Sequence, residues 1–197
     1  MLSKEEKIKD ILEYHPTRNE RKYVARYLWA VYRGKQDVIS EMEAFGDNIR
    51  RIAYNLYAQE RALLFGFTEL YFDAGWLKYY EWLERKEIEI TPNNAVRFNK
   101  IMLAKGVNGK WAYGLHYGFG ASGGGWSPSI YDEPYNSEKE ALTAALNQMV
   151  KYFNEALEKA PGDSFGNYNV KFIKAVLAKC NEMLNPKPVQ EQFSLFE

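Results

Sequence analysis

Cysteine is nearly absent from this chain of 197 residues: Cys180 stands alone, and the only histidines are His15 and His116. A single cysteine excludes an internal disulfide framework and a multi-cysteine zinc site, and it suits a reducing cytoplasm. Two histidines and one cysteine present no metal-ligand spacing and no nucleophile–base pairing. Net charge is also lacking, since 26 Lys and Arg balance 26 Asp and Glu. No global field therefore draws the protein to nucleic acid or to an anionic membrane. Long apolar runs are missing too; none approaches the roughly 18 residues that a membrane span needs. The N-terminal residues are charged from Lys4 onward, with no apolar core for a signal peptide. These absences predict a cytoplasmic protein with no membrane partner, no metal, no cofactor and no enzymatic activity.

What is present is apolar and unusually aromatic. Hydrophobic residues make up 46% and aromatics 16%, which a disordered chain would not carry. The pattern predicts an α+β protein, with a helical N-terminal half and a small antiparallel sheet covered by C-terminal helices. A single globular domain is expected over 1–184, helical in 1–86 and sheet plus helices in 87–184, followed by a tail over 185–197.

In the first half, a charged helix over 4–14 ends at His15-Pro16, because a residue before proline is disfavoured in the helical region. Thr17 and Glu20 have capping-box spacing ahead of a helix reaching Arg33. A third helix is expected over 35–45. A fourth, capped by Asp47, carries the apolar stripe Ile49, Ile52, Ala53, Leu56, Tyr57, Leu63 and Leu64. Residues 76–85 place Trp76, Tyr79, Tyr80 and Leu83 on one helical side. Glu87-Ile88-Glu89-Ile90 alternates like a short strand. Residues 95–105 fit a helix through Ala95, Phe98, Ile101 and Met102. The helix fits slightly better than a strand, but the strand alternative stays open, since Asn108-Gly109 is a favoured two-residue hairpin turn.

The clearest strand is 110–119. Trp111, Tyr113, Leu115, Tyr117 and Phe119 fall on one face, and Ala112, Gly114, His116 and Gly118 on the other. Small residues admit a close helix backbone, so the bare face is expected to lie under the next helix. That helix starts at the capping box Ser137–Glu140 and runs along Leu142, Ala145, Leu146, Met149, Val150, Phe153 and Leu157. Pro161-Gly162 breaks it, and a last helix spans about 170–184. The glycine-rich stretch Gly118–Gly125 follows a strand, as phosphate loops do. It lacks the Lys-Ser/Thr ending of a P-loop and the helix that would follow, so it reads as a hairpin connection.

After the last helix comes Asn185-Pro186-Lys187-Pro188, then Gln192-Phe193-Ser194-Leu195-Phe196. This pentapeptide resembles the short motif with which bacterial proteins dock on the β sliding clamp of DNA replication. The motif is glutamine, leucine, serine or aspartate, leucine, phenylalanine; Gln192, Ser194, Leu195 and Phe196 match it, and Phe193 replaces the first leucine. The resemblance implies a bacterial β sliding clamp as partner. The glutamine would make polar contacts at the pocket rim, and Leu195 with Phe196 would fill an apolar pocket. It fits a replication accessory protein, chromosomal or carried by a phage or other mobile element.

Two other readings stand beside this one. Between Ile90 and Tyr131 there is no acidic residue, while Arg97, Lys100, Lys105 and Lys110 all fall there. Interleaved with Trp111, Tyr113, Tyr117 and Trp126, they have the composition of a single-strand nucleic-acid surface, with cations for phosphates and rings for bases. The second is a small enzyme with its site near His116, which would need a concave pocket and a carboxylate beside the imidazole.

Overall fold

The computed structural model describes residues 3–78, 81–91 and 99–186. It is an α+β protein whose chain forms two compact units. The first comprises Met1–Leu83 with Gly106–Lys110 and Ile130–Pro134; the second comprises Glu84–Lys105, Trp111–Ser129 and the chain from Tyr135. No helix among the described residues is long and apolar enough to cross a membrane.

The first unit is built on four helices: α1 (Lys4–Glu13), α2 (Arg21–Arg33), α3 (Gln36–Glu43) and α4 (Ile49–Leu63). Ser3 and Glu6 close a capping box on α1. The box expected at Thr17 does not start a helix. Glu20 accepts from the Thr17 amide and hydroxyl, both at 2.7 Å, forming a turn before α2 begins at Arg21. The cap of α4 is Asn48 rather than Asp47; its side chain accepts from the Arg51 amide, while Asp47 pairs with the Arg51 guanidinium at 2.9 Å. Ile11, Tyr27, Val31, Ile39, Met42, Ile49 and Ile52 form the helical core. Leu63 and Leu64, expected on the apolar stripe, are exposed at the end of α4.

Where a helix over 76–85 is expected, the chain makes strands instead. β1 (Tyr71–Asp73) pairs antiparallel with β2 (Trp76–Lys78). Ala74 at φ 49° and Gly75 at φ 82° reverse the chain, the left-handed geometry that two-residue hairpins demand. Asn55, fully buried on α4, then fixes the hairpin. Its amide nitrogen donates to the carbonyls of Phe45 at 2.6 Å and Gly75 at 2.9 Å, and its oxygen accepts from the Leu77 amide at 2.8 Å. Tertiary hydrogen bonds thus override a helical periodicity in the sequence.

The second unit is a four-stranded antiparallel sheet in the order β3 (Glu84–Glu89), β4 (Lys100–Lys105), β5 (Trp111–Gly118), β6 (Gly123–Trp126), with α5 (Glu138–Lys159) and α6 (Val170–Leu184). Glu84-Arg85 belongs to β3, and 100–105 is strand, which decides that part of the open segment; 92–98 lie outside the described residues. The β4–β5 connection is a three-residue loop, Val107–Gly109, closed by Gly106 N–H donating to the Lys110 carbonyl at 2.7 Å.

Register fixes the two faces. Ile101 sits opposite Leu115, Leu103 opposite Tyr113, and Leu115 in turn opposite Trp126. This bulky face, not the bare one, lies under the helices: Phe119 meets Phe153 at 4.9 Å and Tyr117 meets Tyr152 at 5.1 Å. The reason is area. Each aromatic ring removes on the order of 150–250 Å² from water, whereas glycines offer the helix almost nothing to bury. α5 starts at Ser137, whose hydroxyl accepts from the Glu140 amide at 3.1 Å. The glycine-rich stretch is half strand, and its composition is steric: a Cβ on Gly123 would come within 2.3 Å of the Tyr117 carbonyl, and one on Gly125 within 2.6 Å of that of Leu115.

Candidate functional site

The first unit contains a cleft of about 820 Å³, within the usual size range of small-molecule sites. Four stretches of chain bring its walls together. The end of α1 and the segment after it give Glu13, Tyr14, His15, Thr17 and Glu20; α4 gives Arg50 and Tyr54; β2 gives Trp76, Leu77 and Lys78; and the 130–131 segment gives Ile130 and Tyr131.

Each wall has an identifiable support. Asn55 holds β2 through the Leu77 amide, and so sets Trp76 and Lys78 on either side of it. Arg61 holds the 130–132 segment, donating to the Ile130 carbonyl at 3.1 Å and to the Asp132 carbonyl at 2.5 Å. Pro16 stops α1 from running on, which turns Tyr14 and His15 toward the cleft rather than along a helix.

The aromatic wall is held together by ring contacts and a hydrogen bond. Trp76 and Tyr54 stand edge to face at 5.1 Å and 89°, and the Tyr131 hydroxyl donates to that of Tyr54 at 2.9 Å. Tyr57 backs Tyr131 at 5.6 Å. The cationic groups are Arg50, whose guanidinium lies 5.8 Å over the Trp76 ring, and Lys78, which pairs with Asp73 at 3.2 Å on the exposed side. The acids are largely committed. Glu20, buried, accepts from Thr17 and also from the Tyr14 hydroxyl. Burial first, then this bond and the Glu20 charge, push the Tyr14 phenol up to about 12, while the Arg50 charge opposes them. Tyr14 is therefore a neutral donor at ordinary pH. Chemically, the cleft offers positive charge, hydroxyl groups and ring faces, and little uncompensated negative charge.

The residues singled out from sequence lie elsewhere. Gln192, Phe193, Ser194, Leu195 and Phe196 lie outside the described residues, as does Arg97. Trp111 is buried, and Tyr113, Tyr117 and Trp126 are half-buried rings packed on the core under α5 and α6. They form part of the hydrophobic interior, where their faces meet one another and the helices. The lysines are drawn to acids on β3: Lys100 pairs with Glu87 at 2.7 Å, and Lys105 approaches Glu84 at 3.8 Å while lying over Trp111. An acid-free stretch of sequence is thus neutralised by the acidic strand beside it. Lys110 belongs to the loop before β5 and to the first unit. His116 is exposed on the sheet face away from the helices, opposite Lys100 and Gly125.

The histidine that lines a cleft is His15. Sequence reasoning passed over it, together with Arg50, Tyr54, Trp76, Lys78 and Tyr131. Trp76 was assigned to a helix face, and Arg50 reads as one more cation on the polar side of α4. The adjacent Ala74-Gly75 was the one local signal of a turn that would have moved Trp76 into a hairpin. Comparison of the chain with protein-family models, curated proteins and solved structures gave no match in any of the three.

Proposed function

We propose that this chain is a non-enzymatic accessory or regulatory protein recruited to the bacterial replication clamp by residues 192–196. The observation that carries the reading is the order of features at the end of the second unit. Helix α6 closes at Leu184, Asn185 caps it, and Pro186 and Pro188 follow before Gln192-Phe193-Ser194-Leu195-Phe196. Proline cannot continue the helix, so the motif is set apart from α6 by a stop. Short linear motifs of this kind gain their affinity from a few apolar anchors entering a preformed groove. Leu195 and Phe196 are those anchors, and Gln192 is the polar contact. Phe193, in the place of a leucine, offers an anchor of larger area.

Titration of the full chain onto a bacterial sliding clamp, by calorimetry or surface plasmon resonance, tests this. Binding with a dissociation constant on the order of 10 µM, about −7 kcal/mol, is expected. Truncation after Pro188 is expected to abolish it, and Phe196→Ala to weaken it by roughly 10-fold or more. Phe193→Leu is expected to retain it. Equal binding by the full and truncated chains, or none by the full chain, removes the proposal.

A further inference from the structure

The cleft of the first unit has a chemistry that the clamp motif does not use. Its negative groups are satisfied internally or lie at the rim. Glu20 is occupied by Thr17 and Tyr14, and the Glu13 side chain is exposed, 3.9 Å from Lys9. Its positive groups are not. Arg50 forms no ion pair among the described residues, and the guanidinium stays over Trp76. Lys78 is held only by an exposed pair with Asp73, the kind of contact that contributes little and yields readily. The Tyr54 hydroxyl, paired with that of Tyr131 at 2.9 Å, keeps capacity for a further hydrogen bond. Two cations from different elements and a hydroxyl line one cleft, which suits an anion with several acceptor oxygens better than a single carboxylate.

The rest of the cleft is too large and too apolar for that anion alone. The Trp76–Tyr54 corner, at 89°, has Leu77 and Ile130 alongside, and the Arg50 and Arg51 guanidiniums each lie 5.8 Å from the centre of the Trp76 ring. A flat heteroaromatic ring satisfies such a corner, since stacked and edge-on contacts are both favourable. We infer that the cleft binds a nucleoside monophosphate unit, its phosphate held by Arg50, Lys78 and the Tyr54 hydroxyl, and its base against the Trp76–Tyr54 corner. The same chemistry comes from two sources, a free nucleotide or the 5′-phosphorylated end of a strand.

Calorimetry or ligand-observed NMR on the full chain, with thymidine monophosphate and adenosine monophosphate as probes, reads this directly. Both are expected to bind. Thymidine, which lacks the phosphate, and ribose 5-phosphate, which lacks the base, are each expected to bind about 10-fold more weakly or worse. Arg50→Gln and Lys78→Gln are expected to weaken the nucleotides by about 10-fold each. Arg50 is exposed, so its variant should keep the parent melting temperature, which separates lost binding from lost folding. A 5′-phosphorylated hexathymidylate that displaces the mononucleotide where the unphosphorylated oligomer does not assigns the strand end as ligand. Failure of both oligomers to displace it assigns the free nucleotide. No binding of either monophosphate at millimolar concentration overturns the inference. So does equal affinity for ribose 5-phosphate, or unchanged affinity in both variants. The chain truncated after Pro188 is expected to bind nucleotide normally, so this result and the clamp result stand or fall separately.

Discussion

Both units bury aromatic rings, but three rings of the first are used in a way opposite to those of the second. In the second, the rings of Tyr117, Phe119, Phe153, Tyr152 and Trp126 face one another beneath α5 and α6, and the interior is filled. In the first, Trp76, Tyr54 and Tyr131 line an open cleft, fixed by hydrogen bonds from Asn55 and Arg61 rather than by burial on all sides. Aromatic content therefore does not mark a binding surface. A ring becomes available to a ligand where polar tethers hold it at a rim. It becomes core where a helix with a matching apolar stripe can cover it.

The largest test of this contrast falls on the filled interior. Phe153 is fully buried and meets Phe119, so Phe153→Ala should cost about 3–5 kcal/mol in denaturant unfolding. A loss below about 1 kcal/mol would show that the aromatic interior is loosely packed rather than filled. Next is the tether. Asn55→Ala removes three hydrogen bonds, two of them fully buried, that the Phe45 and Gly75 carbonyls and the Leu77 amide make with its side chain. A cost of about 2–3 kcal/mol is expected, with loss of nucleotide binding because β2 no longer holds Trp76 and Lys78 in place. Unchanged binding in a folded Asn55→Ala variant would show that the cleft does not depend on this tether. Ser137→Ala removes the cap of α5 and should cost about 1 kcal/mol by the same unfolding measurement.

A smaller effect in the first unit depends on pH. Burial pushes the Glu43 carboxyl up, but hydrogen bonds from Lys7 and Tyr27 and the Lys7 charge outweigh it and hold the group below its ordinary value of 4.5. The unfolded chain then takes up this proton first on acidification. The stabilisation is full above about 4.5 and is lost as pH falls through the lower folded value. Acid unfolding should lose this component in Glu43→Gln, measured as a flatter stability–pH curve in that range. Smallest is Ala74→Gly, which relieves a left-handed alanine in the β1–β2 turn and should raise stability by up to about 1 kcal/mol, seen as a small rise in melting temperature.

Much of the α+β plan was legible in the chain. The stripe on α4, the alternation of 110–119, the start of α5 at Ser137 and its break at Pro161 are local signals, and each is matched by a described element. The candidate cleft was not legible. Its residues come from four separated stretches, and none of the four carries a motif. Trp76 and Tyr54 are 22 positions apart, and their 89° corner exists only because a buried asparagine joins α4 to the hairpin.

The amino-acid sequence by itself determined the periodicities, the caps and stops, and the pentapeptide at 192–196, because those depend on neighbours within a few residues. Tertiary structure alone decided three things. The heavier face of β5 went under the helices because rings have more area to remove from water than glycines. The lysines of the acid-free stretch were drawn to acids on the neighbouring strand. And 76–78 became strand, because the hydrogen bonds of the buried Asn55 with the Gly75 carbonyl and the Leu77 amide outweigh the preference of a short segment for a helix.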